Sequence, residues 1–264
     1  RMNPSALRRE AQPSSVRRAP AADSLRLAYR PPYDIDGMLG FLGRRSLPGV
    51  AGVEGLELRR TLAWSHRGER LQGWLQCRFV PERHELRLSL APALLPAAGG
   101  ILQQLRHGLD LDAQPSAIDP AMAQLPLPLR PGLRVPGAID GFETAVRIIL
   151  GQQVTVAAAR TLALRLVAEL GTPIETPFAD LQRLFPSAID VAEASPERIG
   201  RLGIVRQRVG ALQALAREVA TGRIELHPAA PLPSTLDALR ALPGIGEWTV
   251  QLIAMRVLAC ADAF

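Results

Sequence analysis

Apolar positions in this chain follow two periods, and the change from one to the other divides it. From residue 25 the period is two. Leu25, Leu27 and Tyr29 alternate with Arg26, Ala28 and Arg30, the pattern of a short strand that Pro31-Pro32 ends. Asp34 or Asp36 can then cap a helix carrying Met38, Leu39, Phe41 and Leu42, which runs to the turn at Leu47-Pro48-Gly49. Residues 56–63, 71–79 and 85–90 resume alternation or β-prone content between Gly- and charge-rich turns. These segments predict an α+β module built on an antiparallel sheet.

After Pro92 the helical period takes over in Ile101, Leu102, Leu105 and Leu109, and a Pro-rich crossing over 126–136 leads into a second unit that reads as helix throughout. Residues 139–171 carry Phe142, Val146, Ile149, Leu150 and Val154, then Ala158, Leu162, Leu166 and Leu170 after a Gly-Gln-Gln break, which makes two amphipathic helices. Ser195 with Arg198 and Ile199 opens a short helix that Gly203 interrupts, and residues 209–220 give one more before Thr221-Gly222. The division expected is a basic tail or linker over 1–22, an antiparallel α+β domain over 23–112 and a helical domain over 113–264.

The last helical pair closes on L-P-G-I-G-E-W-T at 242–249. Ser234 is the expected N-cap of the first helix, with Asp237 three residues on and Leu236, Leu239 and Leu242 on its apolar side. Pro243 and Gly244 stop it, and a second helix starts near Gly246 with Val250, Ile253, Ala254 and Val257 on one face. The first turn of that helix offers free backbone N–H groups, the positive end of the helix dipole stands behind them, and neither glycine has a Cβ to keep an anion away. A nucleic-acid phosphate fits such a place. An ordinary turn punctuated by Pro and Gly would produce the same letters.

Composition narrows the partners. The chain has 264 residues, 47% of them hydrophobic, enough for two packed cores. No apolar run reaches membrane-spanning length and no apolar signal core follows the Arg-rich start, so a cytoplasmic protein with no membrane partner is expected. Cys77 and Cys260 are far apart without a C-x-x-C partner, which speaks against a disulfide framework, zinc or an iron–sulfur cluster and for buried thiols. The net charge is +6, and all 31 basic residues are arginine. A genome rich in arginine codons accounts for the missing lysine, while the excess charge still suits a polyanion.

The hairpin resembles the helix-hairpin-helix element of the DNA glycosylase superfamily. Three further stretches, R-P-P-Y-D-I-D-G-M-L-G-F-L at 30–42, L-R-P-G-L-R-V-P-G at 129–137 and F-E-T-A-V-R-I-I-L-G-Q-Q-V-T-V at 142–156, extend the resemblance to AlkA-like bacterial 3-methyladenine DNA glycosylases II, over about 25–264 and in the same order. The opening M-N-P-S-A-L-R-R also resembles the end of an AraC-type helix-turn-helix domain, a short likeness that a plain basic tail would explain as well. The family implies an N-terminal antiparallel α+β domain, a helical domain bearing the hairpin, and monomeric action on double-stranded DNA containing alkylated bases.

That resemblance assigns particular residues. Trp248 and Phe41, one from each domain, would line a pocket for a flipped base, with Leu252 where the family can have a tyrosine; each ring could equally be a core residue. Flipping costs roughly a few kcal/mol, and an aromatic ring against a desolvated cationic purine can return about 2 kcal/mol. Gln153 matches the position of a leucine wedge and either fills the gap left by the base or is a polar helix break. The amides of Gly244, Gly246 and Thr249 would hold a phosphate, and the carbonyls of Arg240, Leu242 and Ile245 a structural Na or K ion, with no other cofactor required. Trp248 stands where strand-cutting relatives place a nucleophilic lysine, so the resemblance is to monofunctional enzymes.

The family's catalytic aspartate follows the hairpin tryptophan by about twenty residues, a role worth roughly 10²–10⁴-fold. Asp262 is too close to Trp248 for it, so the expectation is that the catalytic carboxylate lies past Phe264, with the C-terminal part of the helical domain absent and little base release from the chain as it stands. Two classes stay open on these residues: a base-excision glycosylase, and a module that binds DNA or recognises lesions without cleaving. A helical interaction domain with no nucleic-acid role would leave the charge and hairpin as coincidence.

Overall fold

The computed structural model describes residues 25–127 and 129–263. The basic residues 1–22, with the AraC-type likeness of the opening, lie outside the described residues.

Among the described residues, β1 (Leu25–Ala28), β2 (Ala51–Glu54), β3 (Glu57–His66), β4 (Glu69–Val80) and β5 (Glu85–Leu90) form one antiparallel sheet in the order β1-β5-β4-β3-β2. The expected alternation is clearest in β5, where Leu86, Leu88 and Leu90 are buried and the residues between them are not. Joining them in the same core are Leu58 and Leu62 of β3, Leu75, Cys77 and Phe79 of β4, and Ile101 and Leu105 of the helix α2 (Ala98–Gly108). The strand β2 escaped the reading because A-G-V-E is neither alternating nor rich in β-branched residues; its pairing with β3, Ala51 opposite Arg60, defines it. The helix α1 (Ile35–Arg45) starts at Asp34 rather than Asp36, since the Asp34 carboxylate accepts from the Gly37 amide at 2.9 Å.

The remaining helices are α3 (Pro115–Met122), α4 (Gly141–Leu150), α5 (Val156–Leu170), α6 (Ala188–Glu193), α7 (Pro196–Gly200), α8 (Arg206–Ala220), α9 (Leu232–Arg240) and α10 (Glu247–Arg256). A second core gathers Val146, Ile149 and Leu150 of α4, Leu212 and Leu215 of α8, and Val250 and Ile253 of α10. Each such side chain contributes about 1.5–3 kcal/mol of burial. Core membership interleaves at the boundary: Ala138 already sides with the helical core, Ile139 with the sheet, and from Ala145 on the buried residues belong to the helical core. Leu47 and Val50, just after α1, belong to the helical core, so the chain crosses between the domains more than once.

Three expectations need correction. Ser234 does not cap α9: the helix begins at Leu232 after Pro231, and the Ser234 hydroxyl donates to the Pro231 carbonyl at 3.1 Å. Pro233 in the first turn, where no amide is needed, permits the earlier start. Asp237 pairs with Arg240 at 3.2 Å instead of closing a capping box. Cys77 is buried as expected, whereas Cys260, in the turn after α10, is only half-buried.

The domains are joined through buried charge. Arg60 of β3 and Glu143 of α4 meet at 2.7 Å with 8% and 4% of their side chains exposed, and the other Glu143 oxygen accepts from Arg147 at 2.7 Å. Burial alone would raise the Glu143 carboxyl; the two guanidiniums overcome it and hold it below its ordinary value. Arg147 also donates to the Arg45 carbonyl, Arg160 to the Ser46 carbonyl at 2.7 Å, and the Thr61 hydroxyl to the Arg183 carbonyl at 2.7 Å. The end of α1 is thereby fixed against the helical domain.

Candidate nucleic-acid interface

The turn between α9 and α10 is shaped by two glycines with different jobs. Gly244 has φ +76°, and a Cβ there would stand 3.1 Å from the Ala211 Cβ of α8, so the backbone and its packing both demand glycine. Gly246 has φ −89° as the N-cap of α10, and a Cβ there would meet nothing within 4 Å. Its missing side chain leaves an open approach to the start of α10, which has no side-chain cap. Both glycines are exposed.

Thr249 departs from the expectation that its amide faces a phosphate. It is 2% exposed, its N–H donates to the Gly246 carbonyl at 2.9 Å, and its hydroxyl accepts from the Gln152 amide nitrogen at 3.0 Å. Burial of Thr249 under the first turn of α10 makes it part of the scaffold, leaving Gly244 and Gly246 at the surface. The Leu242 carbonyl, one of three expected around a cation, accepts a long 3.3 Å bond from Ile245.

Gln152 ties a second loop to this turn. Besides Thr249 it reaches the Gly244 carbonyl at 3.1 Å, while its own carbonyl accepts from Arg208 of α8. Held on both sides, the break between α4 and α5 turns outward at Gln153, which is exposed with φ +52°, a left-handed conformation uncommon for a residue with a side chain. Sequence reading singled out Gln153 and passed over Gln152; the signal was present in the adjacent pair, but nothing local tells which member points inward.

Trp248 is 63% exposed, so it is not a core indole. The buried side of α10 is Val250, Ile253, Ala254 and Val257, as the periodicity requires. The other side carries Trp248, Leu252 and Arg256 at successive turns, with Leu252 half-buried against the edge of the helical core. Arg256 reaches the other domain: its guanidinium lies 5.2 Å from the centre of the Phe41 ring, and its Nε donates to the Pro136 carbonyl at 2.9 Å. Phe41 is half-buried and outside both hydrophobic cores. Arg45, one turn further along α1, stands 3.8 Å from the same ring. Phe41 and the Trp248 stripe of α10 are thus connected across the seam through Arg256.

The 129–137 segment explains itself at the start of α1. Arg134 donates to the carbonyls of Arg30 (2.6 Å) and Pro32 (3.0 Å) and lies 4.6 Å from the Tyr33 ring, while the Gly132 carbonyl accepts from the Asp34 amide at 2.9 Å. This clamp aims α1, and hence Phe41. Near the hairpin, Glu247 is held by Arg240 through two bonds of 3.0 Å and also accepts from Gln251; the Arg240 contact, then the Gln251 one, lower its carboxyl to about 2. Asp262 is exposed in the turn that follows α10. A separate cleft of about 320 Å³, lined by Arg60, Trp64, Phe142 and Phe185 among others, includes none of the residues of the proposed pocket. No helix among the described residues is long and apolar enough to cross a membrane.

A family model for the AlkA N-terminal domain matches residues 24–140, and one for HhH-GPD superfamily base excision DNA repair proteins matches residues 146–263. The fold and the hairpin therefore define the class as a two-domain helix-hairpin-helix repair protein. The chain is 33% identical over 241 residues to DNA-3-methyladenine glycosylase 2 of Escherichia coli K12, with 90% of this chain and 82% of that protein covered. It is 35% identical over 250 residues to the probable bifunctional transcriptional activator/DNA repair enzyme AlkA of Mycobacterium tuberculosis, spanning 91% of this chain and 48% of that relative's length. The chain belongs to the AlkA family of DNA-3-methyladenine glycosylases. In fold it is similar to a 3-methyladenine DNA glycosylase from Archaeoglobus fulgidus, at a TM-score of 0.71 and 18% identity over 89% of this chain and 80% of that one. It is also similar in fold to the 8-oxoguanine glycosylase/lyase of Clostridium acetobutylicum, at a TM-score of 0.55 and 11% identity over 78% and 68% of the two chains.

Proposed function

We propose that this protein acts as a DNA glycosylase that binds duplex DNA, flips out alkylated purines such as 3-methyladenine and 7-methylguanine and hydrolyses their N-glycosidic bond, the residues assigned here supplying binding and flipping while the catalytic carboxylate is assigned to none of them. The observation that carries this reading is one arrangement: Trp248 stands open on α10 immediately after the uncapped turn at Gly246, and Gln152 fixes the exposed Gln153 to that same turn. Family membership supports the reaction class.

Gly244 and Gly246 hold a backbone phosphate at the start of α10, which positions the duplex without reading its sequence. Gln153 enters the stack in place of the extruded base and satisfies its partner. The base then stacks on Trp248, worth about 1–3 kcal/mol, with Leu252 beside it. A tryptophan cannot form a Schiff base and the chain contains no lysine, so the reading is hydrolytic and monofunctional. The carbonyls of Arg240, Leu242 and Ile245 are neutral hard oxygen donors suited to Na or K, and Leu242 retains a lone pair beyond its long bond to Ile245. Such an ion would brace the turn against a DNA phosphate; no further cofactor and no partner subunit are invoked.

The test is the affinity of this chain for a duplex with one 3-methyladenine analogue and for its undamaged twin, before and after Trp248→Ala. We expect tighter binding to the lesion, a loss of about tenfold or more on that duplex in the variant, and little change on the undamaged one. Equal losses on both duplexes would reject the pocket.

A further inference from the structure

Gln153 is presented by its backbone and left free by its neighbours. Before it, Gln152 pins the break to the hairpin and to α8, its side chain on the Gly244 carbonyl and the Thr249 hydroxyl and its own carbonyl on Arg208. After it, the Thr155 hydroxyl caps α5 by accepting from the Ala158 amide at 3.2 Å. The turn is closed on both sides of the left-handed residue, and Gln153 stands exposed there with no hydrogen bond to its side-chain amide among the described residues.

A primary amide carries an acceptor oxygen and a donor nitrogen side by side. The Watson–Crick edge of every base also sets a donor beside an acceptor: N1–H and O6 in guanine, N6–H and N1 in adenine, N4–H and N3 in cytosine, N3–H and O4 in thymine. A half-turn about the last side-chain torsion, which is broad and two-fold, exchanges the amide's donor and acceptor. One glutamine therefore matches all four edges. A leucine in the same place would fill the gap and pair with none of them.

We propose that Gln153 pairs with the base left opposite the gap, and that its amide makes binding independent of which base that is. This rests on the flipped-nucleotide reading above, in which Gln153 occupies the gap. The probes are duplexes with a tetrahydrofuran abasic site opposite each of the four bases, together with an intact duplex. An abasic site has no base to extrude, so the orphaned partner is the only variable. The unsubstituted chain should bind the four abasic duplexes within about twofold of one another and about tenfold tighter than the intact duplex. Gln153→Leu keeps the bulk and the backbone strain, and should lose about three- to tenfold on all four abasic duplexes with little change on the intact one. Gln153→Glu offers acceptors only and should split the set, with guanine, whose N1–H and N2–H both donate, bound about tenfold tighter than cytosine, whose N3 faces a carboxylate oxygen. Thermal melts establish that both variants fold. A spread of about fivefold or more across the four partners in the unsubstituted chain overturns the proposal. So does a Gln153→Leu variant that binds abasic duplexes undiminished or loses as much on the intact duplex, and so does a Gln153→Glu variant without the guanine preference. Abasic duplexes bound no tighter than the intact one by the unsubstituted chain overturn the flipped-nucleotide reading itself, and this inference with it.

Discussion

Trp248 and Phe41 come from different domains and meet different surroundings. The indole is largely open beside the hairpin, whereas the phenyl ring, half-buried at the seam, is approached by guanidiniums from its own helix and from α10. Both are aromatic residues that family likeness assigns to one pocket, yet their neighbours give them different work. Trp248 has a face to offer a base, and Phe41 anchors two arginines. A flipped base placed between them, as proposed, would meet one open ring and one ring already flanked by guanidiniums.

Loosening the seam that holds the two rings' domains together should have the largest effect. Glu143→Gln leaves buried guanidiniums without their carboxylate, and a loss of about 3–5 kcal/mol is expected, read as a lower melting temperature. Acid should act similarly on the unsubstituted chain. The Glu143 carboxyl is depressed in the fold, so its contribution is present above its ordinary value of 4.5 and lost as pH falls through the lower folded-state value. Thermal melts stepped down from pH 6 should show that loss, and the variant should show less of it.

The hairpin glycines come next. Gly244→Ala forces a side chain into a positive φ and against Ala211, and should cost about 1–2 kcal/mol of stability. Gly246→Val should leave the melt nearly unchanged and weaken binding to any duplex several-fold, with a shallower salt dependence. A reversal of these two patterns would mean that the turn is only structural. The smallest effect is expected from Glu247→Gln, which removes an exposed negative charge at the start of α10 and releases Arg240. Duplex affinity at low salt should rise by about two- to threefold and the gain should vanish at high salt.

Much of this was legible in the sequence where one element carries its own pattern. The alternation in β5, the Gly-Gln-Gln break and the apolar face of α10 all follow from spacing along a single strand or helix. The short helices were harder. The helix α3 contains Pro120 within its span, which argues against a helix on propensity alone, and α6 has six residues and a Ser187/Asp190 capping box that was passed over. Periodicity reports which side of an element is apolar and is silent on which elements meet. Arg256 on Phe41, Arg60 on Glu143 and Gln152 on the buried Thr249 are such meetings.

The most direct test of the account is whether a base leaves the stack to lie against Trp248. A duplex with 2-aminopurine immediately 3′ of a 7-methylguanine, whose sugar is 2′-fluorinated to block release, brightens when its neighbour unstacks, and the emission can be followed as the chain is added to saturation. The account predicts a rise with the unsubstituted chain and loss of most of that rise in Trp248→Ala at equal DNA occupancy. A saturated complex with no rise, or an equal rise in the variant, would contradict it.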